Sequence, residues 1–468
     1  MDRIKWILSK IGNARSYFLF GSCVVLLTLL VTTLYYLNRP YVEVGADTPG
    51  YLAVVNQMRL NGNPLNVFRL PIYPLFILLI CALTGRDNLL AVGIVQGCLF
   101  VLTAAEFYAL VALIFRRGWL AFIISVLVGT NVILLSYSKP IMTEGFSLWL
   151  LTTSVLIAIT LMHTWNLRLV WTQTVFLLLL IFTRPEWVIY PLLILGYTLC
   201  AARHHAFMRH LLRKVLTACC ILYVLIGSYV AANIIMNHYV GLTSVENMNL
   251  IGKVIQYRMY NEAIPEYQST ARIITRYVEH GQTSPYQILG KEPELAVNNA
   301  QPVGDFARSI ILRHPLEFVL KTIPFLGSSL VDYIPVSIVA GAGTSIHGPY
   351  GNVIAELTSI YAVLYRSNAL FPLCALLWLV LLCFRSTRKY RLVQVMGLVV
   401  MTVLWGIVIT ALGGYYLTDE MRVHVVFDPL ITLTVWGTFF YGLELIVSYI
   451  REHRLDFLIG LRENISSH

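Results

Sequence analysis

The sequence predicts an all-α polytopic membrane protein: a bundle of about ten transmembrane helices, with in-plane helices in the first outer loop and a second, mainly helical outer loop. Three observations predict it. Of 468 residues, 57% are apolar and only 12% charged, a balance foreign to soluble domains. Apolar runs of membrane-spanning length recur from residue 17 to residue 450. The Lys and Arg residues behind the net charge of +10 gather in short clusters beside those runs.

In chain order, the run at about 17–37 reads as an uncleaved first helix: it is too long for a cleavable signal, and no small-residue cleavage site follows it. Arg3, Lys5, Lys10 and Arg15 flank it. The positive-inside rule assigns these to the cytoplasm, with Arg116 and Arg117, Arg168, the 203–214 cluster, the 385–391 cluster, and Arg451 and Arg454. That demand decides the status of 71–84. Were it a span, Arg116 and Arg117 would fall outside. A helix of about 14 residues covers only about 21 Å of a core roughly 30 Å thick. It is therefore expected to lie in, or dip into, the outer interface.

The spans that follow are about 89–115, 118–136, 142–163, 169–183, 186–201, 213–236, 368–384, 392–412 and 425–450. The pair 169–183 and 186–201 is short and reads as a tight hairpin with Arg184 at its outer tip. Three regions result: an N-terminal transmembrane module at 1–236 whose first outer loop is 38–88, a long outer loop at 237–367, and C-terminal helices with a short cytoplasmic tail at 368–468. The long loop carries roughly balanced charge, so the positive net charge belongs to membrane topology and not to nucleic acid. All eight cysteines lie in or beside apolar runs, which reads as packing rather than a disulfide framework. No internal repeat is visible, so the inverted-repeat signature of many transporters is missing.

Chemistry concentrates on the outer face, above all in the segment 45–74. Asp47 stands at the rim of an apolar site, where a carboxylate can take a proton from a hydroxyl nucleophile. Asp-Thr-Pro-Gly is equally good turn chemistry, and Asp47 could cap a helix beginning near Pro49. Both readings stand. Glu144 opens a later span at its outer end, as a dipole-favoured first-turn acid or as a partner of Asp47 in one cleft. The two acids are the candidate ligands for a divalent cation (Mg, Mn or Zn), although there is no DxD pair and no spaced His/Cys set. No cofactor is assigned. Arg69, Lys139, Arg184 and Arg422 end apolar segments on the same face, where they could snorkel to headgroups or recognise a lipid phosphate. His347 lies in the glycine-rich stretch 341–351 and is a candidate substrate contact.

These segments line up with a family. Asp47 and Tyr51 followed by Arg69-Leu-Pro-Ile-Tyr73-Pro74 resemble the first outer loop of GT-C glycosyltransferases. Met142-Thr-Glu144 resembles their second outer-loop acid, and Phe182-Thr-Arg184-Pro-Glu186 is similar to an Arg-Pro at the end of a short helix in many bacterial members. The stretch from Tyr415 to Pro429, with Glu420-Met-Arg422, resembles their late E-x-R-Y element, with Val423 where tyrosine is usual. The resemblance covers about the first 240 residues and 413–430, and not the long outer loop.

What the resemblance implies is an integral inner-membrane glycosyltransferase of the polyprenyl-phosphate-sugar kind, like the aminoarabinose transferases and protein mannosyltransferases. Its active site would face the periplasm, its acceptor would be a glycan, lipid or protein, and its stereochemistry would be inverting. Asp47 would be the general base and Glu144 would orient the acceptor or a metal. Arg69, Tyr73, Lys139, Arg184, His347, Tyr415, Glu420 and Arg422 would form the substrate and lipid-phosphate contacts. The alternatives are a transporter or flippase of a lipid-linked sugar, for which Glu106 is the one clear acid deep in a span, and a polysaccharide polymerase.

Overall fold

A computed structural model describes residues 2–331, 349–414 and 422–466. Among the described residues every regular element is helical. The chain opens with α1 (Asp2–Asn38), α2 (Thr48–Asn61) and α3 (Ile72–Thr84). Next come α4 (Leu89–Phe115), α5 (Gly118–Gly129), α6 (Val132–Ser138) and α7 (Thr143–Thr164). After α8 (Leu169–Ile181), a single 3-10 turn at Pro185–Trp187 leads into α9 (Tyr190–Ala202) and α10 (Met208–Asn237). Shorter helices follow: α11 (Val245–Gln256), α12 (Gln268–Glu279), α13 (Pro285–Lys291), α14 (Pro293–Arg313) and α15 (Pro315–Val331). The last four are α16 (Gly351–Tyr365), α17 (Phe371–Cys383), α18 (Arg391–Gly413) and α19 (Asp428–Ser466).

Among the described residues, eight stretches are long and apolar enough to cross a membrane: Ala14–Asn38, Leu89–Phe115, Thr143–Thr164, Pro185–Ala202, Met208–Asn237, Gly351–Cys383, Arg391–Gly413 and Asp428–Ile450. α5 and α6 make a ninth if the pair is one span, bent by 56°. The count therefore falls below the expected ten, and the reason is length. α8 has 13 residues, about 20 Å, and is too short to be counted against a roughly 30 Å core, although it runs back along α7 from Gln173 at Ser154 to a chain end that sets Arg184 beside Glu144. α3 is equally short, in keeping with the sequence expectation for 71–84. The last apolar stretch before α18 begins at Gly351, not near 368, because α16 continues through a 3-10 turn into α17.

The bend between α5 and α6 is built from side chains. Asn131 caps α6, its Oδ1 accepting from the Ile133 and Leu134 amides at 3.0 and 3.3 Å. Its Nδ2 donates to the Tyr365 hydroxyl at 3.2 Å, and the hydroxyls of Thr130 and Tyr361 meet at 2.5 Å. α16 thus splints the break from outside.

Burial sorts the helices into centre and rim. The spanning windows of α7 and α18 are 78% and 72% buried, against 22% for α1 and 28% for α10, whose apolar residues face outward. A single apolar core joins α1 to α10 with the last four helices. The long loop has its own core, in which Met248, Ile251 and Val254 of α11 pack with Val303, Phe306 and Ile310 of α14. That second core makes the loop a folded platform set over one end of the bundle.

Candidate active site

Asp47 directly precedes α2, at the N-cap position, but its carboxylate makes no capping hydrogen bond. Both oxygens go elsewhere. Oδ1 accepts from Arg69 Nη2 at 2.6 Å and Oδ2 from Arg422 Nη2 at 2.5 Å. The ambiguity in Asp-Thr-Pro-Gly is thereby resolved: Thr48 and Pro49 start the helix, and the acid is left for the arginines.

The loop holding Asp47 is fixed by close backbone approach. Thr48 Oγ1 donates to the Ile141 carbonyl at 2.9 Å, and the Ile141 amide donates to the Glu43 carbonyl at 3.1 Å. The approach at Gly45 is close: a Cβ there would lie 2.2 Å from Met142 Sδ, so any side chain would force Met142 to move. Pinning 43–48 against 141–142 brings Asp47 to the first turn of α7 and so to Glu144.

Arg69 is positioned from three sides. Asn66 Oδ1 accepts from the Phe68 and Arg69 amides at 2.8 and 3.1 Å, an Asx turn that sets the start of the Arg-Leu-Pro run. The Phe68 and Val67 carbonyls accept from Thr243 Oγ1 and the Ser244 amide, and the Ile72 amide donates to the Phe182 carbonyl. The guanidinium lies over the Tyr51 ring, 4.8 Å from its centroid.

Glu144 is wholly buried. Its Oε1 accepts from Arg422 Nε and Nη2 at 2.7 Å each, with Arg184 Nη1 at 3.8 Å. Arg184 in turn donates Nε to Glu186 Oε1 at 2.5 Å. Six side chains form a single alternating row: Arg69, Asp47, Arg422, Glu144, Arg184, Glu186. Three guanidiniums alternate with three carboxylates, drawn from five separate segments of chain. Burial pushes the Asp47 carboxyl upward, but Arg422 and Arg69 outweigh it and hold the group below its ordinary 3.8.

Two residues beyond Arg422, His424, a residue the sequence reading missed, anchors the segment that carries it. His424 Nδ1 lies 2.7 Å from Asp428 Oδ1, and its Nε2 lies 3.1 Å from the Ser329 carbonyl. A carbonyl only accepts, so Nε2 carries a hydrogen. The Tyr365 hydroxyl donates to the other Asp428 oxygen at 3.2 Å. The helix start bearing Arg422 is thereby tied to α15 and α16.

The row borders a cavity of about 390 Å³. Asp47, Arg69, Arg184, Arg422, Thr143 and Glu186 line it on one part of its wall, and Glu246, Asn249, Ser284 and Tyr286 of the loop platform on another. Glu144 does not line it. Its acid supports Arg422 and Arg184 from beneath.

The remaining sequence candidates fall elsewhere. Tyr73 is fully buried below the cavity, where its hydroxyl donates to Gln96 Oε1 at 2.9 Å and its ring packs edge-on against Tyr51. Lys139 is also buried, 3.4 Å from Glu43 Oε1 and donating to the Arg39 carbonyl, so it braces the loop and is not brought to the cavity. Glu43 and Arg39, which form its cage, carry no motif in the sequence. His347, Tyr415 and Glu420 lie outside the described residues. Glu106, the acid deep in a span, accepts from Thr153 Oγ1 at 2.6 Å and from Trp149 Nε1 at 3.3 Å, a pairing between α4 and α7.

The fit of a divalent cation follows from the same geometry. The Arg422 guanidinium occupies the position between Asp47 and Glu144 where an ion bridging both would sit. Among the described residues no three His, Cys, Asp or Glu side chains converge on a common point. The described site holds its acids with organic cations and does not fit a metal bridging that pair.

No family model matches the sequence, and no curated protein matches it. Two solved structures are similar in shape. One is the archaeal oligosaccharyltransferase AglB from Archaeoglobus fulgidus in complex with an inhibitory peptide and a dolichol-phosphate, at 9% identity and TM-score 0.48 over 93% of this chain and 52% of that one. The other is the Archaeoglobus fulgidus oligosaccharyltransferase in the apo form, at 10% identity and TM-score 0.49 over 92% and 52%. The chain thus spans about half the length of these structures. Likeness of this degree transfers no activity and no partner.

Proposed function

We propose that the chain is a GT-C-type membrane glycosyltransferase that moves a sugar from a polyprenyl-phosphate donor to an acceptor hydroxyl on the outer, periplasmic face of an inner membrane. One observation carries the reading. Asp47, Arg69, Glu144, Arg184 and Arg422, picked from four separate motifs by sequence alone, stand in one charged row beside one cavity. A structural role alone would not require four of these residues to line one cavity with the fifth buried directly behind them.

The chemistry follows from the row. Arg69, Arg184 and Arg422 present guanidiniums at the cavity wall, suited to a phosphate that gains charge as its bond to the sugar breaks. The acceptor oxygen forms its bond to the anomeric carbon from the opposite face, the bond from that carbon to the phosphate oxygen breaks, and the phosphate leaves with the electron pair. The hydroxyl proton passes to Asp47. In the resting site two arginines make that carboxylate a weak base. An incoming phosphate competes for both guanidiniums and so frees an oxygen and raises its basicity. The hydroxyl also becomes strongly acidic once its oxygen is bonded to carbon, so proton transfer late in the step needs no strong base. A single displacement inverts the configuration.

The test is Asp47→Asn, which keeps size and part of the hydrogen bonding. Transfer from a radiolabelled polyprenyl-phosphate sugar in membranes should fall by about 100-fold or more, as expected for loss of a general base, while expression and membrane insertion stay normal. Transfer within a few-fold of the unmodified protein would overturn the mechanism.

A further inference from the structure

The cavity has a second wall that the charged row does not use. It comes from α11, whose apolar side is buried in the loop core through Met248, Ile251 and Val254. Glu246 and Asn249, three residues apart and therefore neighbours on one helix face, line the cavity instead. Neither side chain makes a hydrogen bond or ion pair with a described residue. The row already alternates three cations with three carboxylates, so Glu246 is a fourth acid with no cation in ion-pair range among the described residues. Burial raises its carboxyl above the ordinary value; Arg308 partly offsets this, and Glu186 pushes the same way as burial.

A carboxylate that faces a cavity without a protein donor can exchange its hydrogen bonds to water for those of a ligand. A carboxylate offers acceptors only, and a carboxamide offers both kinds of hydrogen bond. Vicinal hydroxyls match that pair: they donate to Glu246 and both donate to and accept from Asn249. A phosphate does not match, because it brings only acceptors and like charge. The two walls therefore suit different parts of one molecule.

We infer that Glu246 and Asn249 form the subsite that grips the hydroxyls of the transferred sugar, so that α11 of the loop platform sets which sugar is accepted while the arginines hold the phosphate. This rests on the donor class proposed above. The step it governs is binding, and neither residue takes part in bond making or breaking.

The experiment measures binding of farnesyl phosphate and of farnesyl phosphate carrying glucose, mannose, galactose or arabinose to the purified full chain in nanodiscs. At least one sugar-bearing probe should bind about ten-fold more tightly than bare farnesyl phosphate. Glu246→Gln and Asn249→Ala should each remove most of that advantage while leaving the affinity for bare farnesyl phosphate unchanged. Variants that keep the advantage, or a panel in which no sugar binds more tightly than the bare phosphate, overturn the subsite and leave the donor reading standing. Failure of bare and sugar-bearing probes alike to bind the unmodified protein overturns both.

Discussion

Arg422 bridges Asp47 and Glu144, and replacing it by methionine tests whether the row is a coupled unit. With Arg422 gone, Asp47 keeps Arg69, but Glu144 is left fully buried with only Arg184 at 3.8 Å in place of a guanidinium at 2.7 Å. At an effective dielectric of about 20, unit charges attract by about 6 kcal/mol at the shorter distance and about 4 at the longer. Glu144 thus loses the larger of its two attractions. Removing one partner of a buried pair costs about 3–5 kcal/mol, because the other charge stays desolvated. Arg422→Met should therefore lose that much stability, read by unfolding in mixed micelles with tryptophan fluorescence. Adding Glu144→Gln removes the stranded anion, so the double variant should be more stable than the sum of the single effects predicts by about 1.5 kcal/mol or more. Additivity of the two substitutions within about 0.5 kcal/mol would refute the coupling.

Two more predictions use the same assays. Gly45→Ala drives a methyl group into Met142 and should cost about 1–3 kcal/mol by overpacking, with transfer activity falling as Asp47 shifts; adding Met142→Ala should restore much of both, and a double variant no better than the single would count against the contact. Asp47 has its carboxyl held below 3.8 in the folded protein, so its ion pairs stabilise fully above about that pH and are lost only as pH falls through the lower folded value. The stability difference between the unmodified protein and Asp47→Asn should then stay flat from pH 8 to pH 5 and shrink below pH 4; shrinkage already at pH 6 would contradict the arginine pairing.

Local pattern and charge placement made much of this legible. The apolar runs of α4, α7, α18 and the first part of α19 stand out because each is long and uninterrupted, and the clustered arginines at their opposite ends fix a consistent direction. The sequence shows 118–136 only as one span, since what breaks the helix is Asn131 capping α6 and two tyrosines of α16 that lie more than 230 residues away. Asp47 and Arg422 were visible through their motifs, yet whether Asp47 capped a helix depended on Arg69 and Arg422 reaching it, which no local window contains. Lys139 had the same appearance at the end of an apolar segment as Arg184. Their fates diverge because Glu43 and Arg39 surround the lysine, whereas Glu186 and Glu144 draw the arginine to the cavity. Glu246 carries no signal in the sequence, because its standing without a partner among the described residues depends on what the fold brings near it.

The bond between Asp47 and Arg422 spans 375 positions of chain, and that between Glu144 and Arg422 spans 278. At roughly 5–20 residues per second of synthesis, Asp47 waits about 20–75 s for its second arginine. Until Arg422 arrives Glu144 has Arg184 at 3.8 Å but lacks the closer guanidinium at 2.7 Å, so water must stand in for the missing hydrogen bonds while α7 already stands in the bilayer. Biogenesis of the site is therefore ordered: the helices from α1 to α10 can assemble with an open, water-filled notch, and arrival of α18 and α19 closes it. A nascent chain stopped before residue 422 should hold these acids accessible to solvent, which makes the last two helices the seal of the site as well as part of its wall.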